Sequence, residues 1–525
     1  MYKRKFTRVL LGTFILCAVS ININAQFSLT GQLRTRTEVR HGVGNLAVVG
    51  TKSAAFTSQR TRLNFGYKWD RLTIGVAVQD VRVWGQDAST TTNNDGAKLM
   101  IHEAWADLVL ANKADTTIKF KWFDQMSIKI GRQELIYDDS RLIGNLDWLQ
   151  QARRHDMALL KTMHQGWQVD LGYAFNQNND NFGNAGTSYV PGNLPAYVKN
   201  SLGVLVPVPV GMIPLAAGGN VNNNSSSSGT PVFANPPSTN ASTQDYKSFT
   251  SLYISKKFNQ TKIAGLLFAD NFGKYKKDSV GSATAGYVYG RRFVSAGATD
   301  PFDYTGSIHR YTYGLMINHT IGNASGFGKI ALQAAYYQQS GVNRDNLTLN
   351  AYHWMAQATY QKGNFSITPG YEMLSGNDAT TPATEDHRFD PLYGTPHKFR
   401  GNMDYFYAGT GSPNAGLQDA YFKIKYATNV LSLSADFHNF FTDKQISKTS
   451  TSKELGREID LQLGYTMNKF TNIELGYSIM KASNSLSIAK AQAATSTYNK
   501  EGNWFYAMLK FTPDFLYTKP VAIKQ

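Results

Sequence analysis

Residues 60–69 read RTRLNFGYKW. Leu63, Phe65, Tyr67 and Trp69 alternate with Arg60, Arg62, Asn64 and Lys68. A period of two places all four apolar side chains on one face of an extended chain and the charges and amides on the other. The same alternation runs through 27–40, where Phe27, Leu29, Gly31 and Leu33 oppose Ser28, Thr30, Gln32, Arg34 and Arg36. It returns in 458–463, where Ile459, Leu461 and Leu463 oppose Glu458, Asp460 and Gln462, and in 504–511 with Phe505, Ala507, Leu509 and Phe511. In a soluble sandwich the apolar face points to a core. In a membrane barrel it points to lipid and the charges line the lumen. Alternation alone does not choose between these.

The connections do. The pattern predicts eighteen strands, at 27–40, 58–69, 72–86, 99–110, 126–135, 153–163, 167–175, 246–258, 262–270, 308–320, 327–340, 350–361, 364–375, 416–428, 430–441, 455–468, 470–482 and 503–511. Short links such as 70–71, 164–166, 259–261 and 428–429 alternate with long ones such as 41–57, 176–245, 271–307, 376–415 and 483–502. Short turns on one rim and long loops on the other are the outer-membrane pattern. The expected fold is therefore an all-β transmembrane antiparallel barrel of about 18 strands, with short periplasmic turns and long extracellular loops. The even count puts both chain ends on the periplasmic rim.

The rest of the composition agrees. Lys3, Arg4, Lys5 and Arg8, an apolar run over 9–19 and Ala25 read as a secretory signal peptide over 1–25, leaving 26–525 as the barrel. No later stretch approaches the roughly 20 apolar residues that a membrane helix needs. Cys17, the single cysteine, lies in the leader, so the mature chain has no disulfide or thiol chemistry. With 29 Tyr and 29 Phe in a chain that is only 17% charged, the aromatic content suits two interfacial girdles. The segment 176–245 is rich in Asn, Ser, Gly and Pro and reads as a long low-complexity external loop; its apolar patch at 204–215 is a candidate to fold into the lumen.

The formal charge is +16, of which four positive charges belong to the leader. A secreted protein rarely meets nucleic acid, so the remaining excess points to an acidic solute or to lipopolysaccharide phosphates. Eleven of the eighteen mature arginines precede residue 157. Several fall on the polar face of strands, which would gather them in one sector of the lumen. Arginine suits carboxylates because its planar fork binds them in pairs and stays charged. Arg34, Arg36, Arg60, Arg62, Arg82, Arg132 and Arg153 are the candidate luminal binding residues, with Asp139, Asp156, Glu458 and Asp460 as supporting acids. The opposing reading is that the acids and arginines pair off and brace the wall.

Residues 129–160, KIGRQELIYDDSRLIGNLDWLQQARRHDMALL, carry the sharpest local signature. Gly131, Arg132, Gln133, Asp139, Arg141, Leu142, Gly144, Asp147, Trp148, Arg153 and Asp156 resemble the pattern of the alginate export family of outer-membrane barrels. A second block at Phe389, Asp390, Leu392, Tyr393, His397, Phe399, Gly401 and Asp404, and a third at Glu458, Ile459 and Asp460, are similar to it in the same order. The resemblance implies an eighteen-stranded barrel with an arginine-rich lumen that passes a polyuronate. The 176–245 loop and the fourteen residues after Phe511 depart from it.

Other chemistries have weaker support. Glu385, Asp386, His387 and Asp390 crowd one loop near His397, but clustering in a polar loop is not ligand geometry. His102, His155, His309 and His353 lie in or near strands without a serine motif beside them. The sequence therefore predicts a passive pore, not an enzyme, with no cofactor and no metal. Its expected partners are an anionic polysaccharide or small anions, outer-membrane lipid and lipopolysaccharide, and periplasmic export proteins, with no nucleic acid; its expected place is the Gram-negative outer membrane. The alternatives are a general or nutrient-uptake anion-selective porin and, in another class, a surface enzyme or adhesin that acts through the long loops. Trp148 is expected to anchor a loop near the rim.

Overall fold

The computed structural model describes residues 26–85, 99–176, 194–217, 229–232, 246–293, 306–323, 326–378, 380–406, 413–447, 452–490 and 497–516. The signal peptide expected over 1–25 and part of the 176–245 loop lie outside them.

Eighteen strands form the wall: β1 (Gln26–His41), β2 (Ala54–Trp69), β3 (Leu72–Val83), β4 (Met100–Asn112), β5 (Gln125–Gln133), β6 (His155–His164), β7 (Trp167–Phe175), β8 (Tyr246–Phe258), β9 (Thr261–Gly273), β10 (Ser307–Asn323), β11 (Gly328–Val342), β12 (Thr348–Lys362), β13 (Phe365–Leu374), β14 (Leu417–Ala427), β15 (Leu431–Phe441), β16 (Glu454–Asn468), β17 (Thr471–Ala482) and β18 (Glu501–Phe511). Each pairs antiparallel with the next, and β1 closes the ring on β18 from Leu33 opposite Phe511 to His41 opposite Asn503. Closure leaves no unpaired edge, which the bilayer would penalise by several kcal/mol per exposed backbone group. All eighteen expected strands are present, with ends shifted by a few residues.

The alternation sorts the two faces as the sequence requires. Leu63, Phe65, Tyr67 and Trp69 are exposed outward, while Arg60 on the other face is wholly buried. Among the described residues no helix is long and apolar enough to cross a membrane. The short turns, such as 70–71 between β2 and β3 and 165–166 between β6 and β7, form the periplasmic rim. Asp70 and Gln165 there take positive φ angles of 49° and 47°, as tight two-residue turns demand.

The extracellular rim is more elaborate than a ring of loops. Tyr275–Ser282 and Gly286–Phe293 form a hairpin rising from the β9–β10 connection. Met212–Ala217, from the low-complexity loop, pairs with that hairpin and with Gly229–Pro231 to make a four-stranded sheet. Most of the 204–215 patch is thus tied into strands: Leu205–Pro207 pairs with Tyr197–Lys199, and Met212 onward joins the four-stranded sheet.

Two other segments fold inward. The 134–154 connection starts on β5, yet Arg141 pairs with Glu372 of β13 at 2.6 Å, almost directly across the ring. The 387–406 segment starts beyond β13 and reaches Arg310 of β10 through Asp390, Gly42 beyond β1 through the Tyr405 hydroxyl, and Glu458 of β16 through the Met403 amide. Both therefore cross the lumen. Against their backs pack Phe249, Tyr253, Phe268, Phe272, Tyr337 and Met355, inward side chains of β8, β9, β11 and β12. On this side of the lumen an apolar cluster surrounds buried ion pairs such as Arg310–Asp270, in place of the open polar lining that a simple barrel reading supplies.

Candidate functional site: an arginine sector and two crossing segments

β1 and β2 supply the site because alternation turns Arg34, Arg36, Arg60 and Arg62 inward, with Arg34 directly opposite Arg60 and Arg62 opposite Gln32. Four guanidinium groups on two adjacent strands repel one another, so the fold must supply acceptors. The turn 147–150 of the first crossing segment does so. Arg34 donates to the Asp147 carbonyl at 2.8 Å, to the Leu149 carbonyl at 3.1 Å and to Gln150 Oε1 at 3.0 Å. Arg36 donates to the Trp148 carbonyl at 2.8 Å and to Glu38 at 2.9 Å. Arg60 Nη2 meets Asp147 Oδ1 at 2.7 Å, and Arg34 lies 3.3 Å from Asp147 Oδ2. Arg62 donates to Gln79 Oε1 at 2.9 Å and lies 3.8 Å from Glu134.

Burial works to raise the Asp147 carboxyl, but Arg60 and Arg34 outweigh it and hold the group below the usual carboxylate range. Its contribution to docking is therefore complete above the ordinary carboxylate pKa and is lost as pH falls through the lowered value. Limited proteolysis of the 134–154 segment should accordingly show constant protection from pH 8 to about pH 5 and loss of protection only in stronger acid. Protection lost already at pH 6 would separate docking from this carboxyl.

The two crossing segments lock together. Ile143 and Tyr393 form a parallel bridge, Arg153 donates to the Gly394 carbonyl at 2.7 Å, and the Thr395 amide bonds the Ser140 carbonyl at 2.8 Å. A Cβ on Gly394 would sit 2.0 Å from the Arg141 carbonyl oxygen, so only glycine permits this approach. Trp148 lies inside the barrel, stacked on His397 at 4.2 Å between ring centroids and capped by Arg36 at 4.2 Å. It joins the two crossings instead of anchoring a loop at the rim.

Buried ions clamp the far ends. Glu372 accepts from Arg400 at 2.9 Å and from His353 at 2.8 Å, besides its pair with Arg141. Burial opposes charge on Arg141, but Glu372 and Asp139 raise its affinity for the proton. Arg310 pairs with Asp270 and with Asp390 at 2.6 Å. Burial opposes charge on Asp390 too, and Arg310 and Arg344 hold it well below the usual carboxylate range.

The structure redistributes the sequence-based candidates. Arg34, Arg36, Arg60 and Arg62 lie together on the inner faces of β1 and β2. Arg153 is buried between the crossings, away from that row. Arg82 and Arg132 are corrections. Arg82 shares a face with Asp80 and Val78, and Val78 lies opposite lipid-facing Leu63; it pairs with Asp80 at 2.7 Å on the outer surface. Arg132 shares a face with exposed Ile130 and pairs outside with Asp156 at 2.8 Å. Asp156 is therefore also outside. One consequence is measurable: Arg132→Glu should leave the reversal potential across a salt gradient unchanged, and a shift toward cations would place this side chain in the conduction path.

Asp139 supports Arg141, not the wall arginines. Glu458 and Asp460 are luminal, but they accept the backbone amides of Met403 and Asn402 at 2.8 and 3.2 Å and so hold the second crossing. The loop acids disperse as well: Asp386 serves Asn343 and Asn377, Asp390 serves Arg310, and His397 faces Asp404. Asp147 and Glu372, the two carboxylates on which the site turns, were not among the expected site residues. Asp147 was visible only as one member of the family pattern, and Glu372 carries no local signal.

The comparisons agree with this architecture. The alginate export family model matches residues 25–175, which contain β1 to β7 and the first crossing. No curated protein sequence matches the chain. Among solved structures, OccAB2 of Acinetobacter baumannii superposes with a TM-score of 0.53 at 11% identity, covering 93% of this chain and 98% of its own. OccAB1 of the same organism gives 0.51 at 11% identity, covering 93% and 97%. The outer membrane protein OpdK of Pseudomonas aeruginosa gives 0.50 at 10% identity, covering 93% and 99%. At such identities the likeness is one of fold. The chain is an eighteen-stranded antiparallel barrel of the Gram-negative outer membrane, similar in fold to these porins and, over residues 25–175, to the alginate export family.

Proposed function

We propose that the barrel is a passive conduit for an acidic oligosaccharide or polysaccharide of the polyuronate class, and that Asp147 stands in for the solute's carboxylate when the pore is at rest. The observation that carries this reading is a charge imbalance. Among the described residues, Arg34, Arg36, Arg40, Arg60 and Arg62 have Glu38, Glu134 and Asp147 as ion-pair partners, five guanidinium groups against three carboxylates. Of these, Asp147 presents the most open side chain, 42% exposed, while Glu38 is sealed at 1%. An incoming carboxylate can displace Asp147 from Arg34 and Arg60 without uncovering an unpaired cation, and the next residue of the chain can follow it. Exchange of like for like keeps each bound state weak enough to release, as conduction requires.

The remaining roles follow from position. The crossings narrow the lumen and set the reach of the arginine row. The outer pairs Arg82–Asp80 and Arg132–Asp156 suit contact with lipopolysaccharide phosphates. A gradient or a periplasmic export protein supplies the direction of flow, since no cofactor is needed.

The test is block of ionic current in planar bilayers by uronate oligomers, against neutral oligomers of equal length. Anion-selective current blocked only by the acidic series is expected; equal block by both would reduce the pore to a sieve. Asp147→Asn removes the resident competitor. It should raise the anion-to-cation permeability ratio about two- to fivefold, read from the reversal potential, because a charge a few ångströms from the path in a partly wet lumen acts with about 1 kcal/mol or less.

A further inference from the structure

We propose a second site, for a divalent transition-metal ion, at the root of the first crossing segment, formed by His102, Glu103 and Glu134. One ligand atom from each residue lies within 4.8 Å of the others, and among the described residues this is the set of histidine and carboxylate groups that meets that condition.

The backbone is arranged to produce it. In an ordinary strand two consecutive residues face opposite ways. Between β3 and β4 the register shifts: Ala77 opposes Glu103 and Val78 opposes Ile101, so His102 is an extra residue in a bulge. Ile101 and Ala104 remain exposed on the outer face, while His102 and Glu103 both turn inward. Bulges re-aim side chains in this way and recur beside functional sites. The third group comes from the first residue beyond β5, held close because the Glu134 amide donates to Glu103 Oε1 at 3.0 Å.

The groups are also oriented as ligands. His102 is wholly buried, with Nε2 2.9 Å from Glu134 Oε1, and its Nδ1 has no hydrogen-bond partner among the described residues. Asn145 holds the other carboxylate oxygen, Glu134 Oε2, at 2.7 Å, which fixes the carboxylate so that Oε1 faces the imidazole. Outer-shell support of this kind orients metal ligands. One imidazole and two carboxylates suit zinc or a neighbouring first-row ion with a fourth position left open, and they do not suit a soft thiophilic ion. The consequence reaches the pore. Glu134 is the carboxylate beside Arg62, so an ion bound there neutralises that acid, frees Arg62 toward the lumen and ties 134–145 to the wall.

The experiment is calorimetric titration of the full-length protein, refolded or extracted in detergent and stripped with a chelator, with zinc chloride. Wild type should bind one ion at this site, on the order of tenfold or more weaker in Asn145→Ala, with that binding event abolished in His102→Gln and in Glu134→Gln. Heat-dependent migration on a denaturing gel verifies that each variant is a closed barrel; Glu103→Gln replaces any that is not. In bilayers, zinc should shift the reversal potential of wild type toward anions and leave His102→Gln unmoved. Identical zinc binding by wild type and by the folded variants, or no binding by folded wild type, overturns the site. Neither outcome touches the uronate reading, which is measured without metal.

Discussion

Glu372→Ala is expected to open the pore. The side chain is fully buried and is shared by Arg141 from the first crossing, Arg400 from the second and His353 from the wall. Removing it takes the shared acid from both guanidinium groups, leaving Arg141 with Asp139 alone, in a site that water does not reach. Breaking one partner of a buried pair costs about 3–5 kcal/mol, because the surviving charge is uncompensated. The wall has its own ladder of hydrogen bonds on both sides of β13 and does not depend on this acid. The cost therefore falls on the crossings, and the cheapest relief is for them to leave the lumen. Single-channel conductance should rise several-fold, with faster proteolysis at 134–154 and an unchanged closed-barrel band. Glu372→Gln keeps the shape and one acceptor and should show a smaller rise. Wild-type conductance in the alanine variant, with the barrel intact, would mean that the crossings are held by their apolar backs alone.

The second large effect is expected from Arg60→Glu. Arg60 is wholly buried and meets Asp147 at 2.7 Å across the arginine row. Glutamate there changes the local balance by two charges and sets an acid against an acid. A fully buried pair broken in this way would cost about 3–5 kcal/mol; Asp147 is 42% exposed, so solvent screening reduces that figure. Selectivity carries most of the change. The reversal potential is expected to move from anion to cation preference, and block by uronate oligomers should disappear. Arg60→Lys, which keeps the charge but not the fork, should keep the sign of selectivity and weaken the block. If Arg60→Glu retains anion preference in a closed barrel, the row is a brace for the loop and the conduction path runs elsewhere.

These two residues show how unevenly the site was legible. Arg60 stands out in RTRLNFGYKW because its face is fixed by the alternation of its neighbours. Glu372 has no such context; its partners are 231 and 28 residues away in sequence, at Arg141 and Arg400, and meet it only because two loops cross the barrel. Arg132 and Arg82 mark the opposite failure. Both sit at the extracellular ends of strands, where outward ion pairs such as Arg82–Asp80 and Arg132–Asp156 stand among apolar side chains. There a charged residue no longer signals the lumen.

The sequence by itself determined the barrel, its strand number, the sorting of short and long connections and the gathering of Arg34, Arg36, Arg60 and Arg62. Those properties follow from local periodicity, since a strand's neighbours decide which way each side chain points. Only the tertiary structure decided that the lumen is crossed, that Asp147 occupies the arginine row, that Trp148 stacks on His397 and that the bulge at His102 turns two ligating side chains inward. Those contacts join residues from distant strands and loops. They depend on the register of closure and on where long loops come to rest, which no period in the sequence encodes.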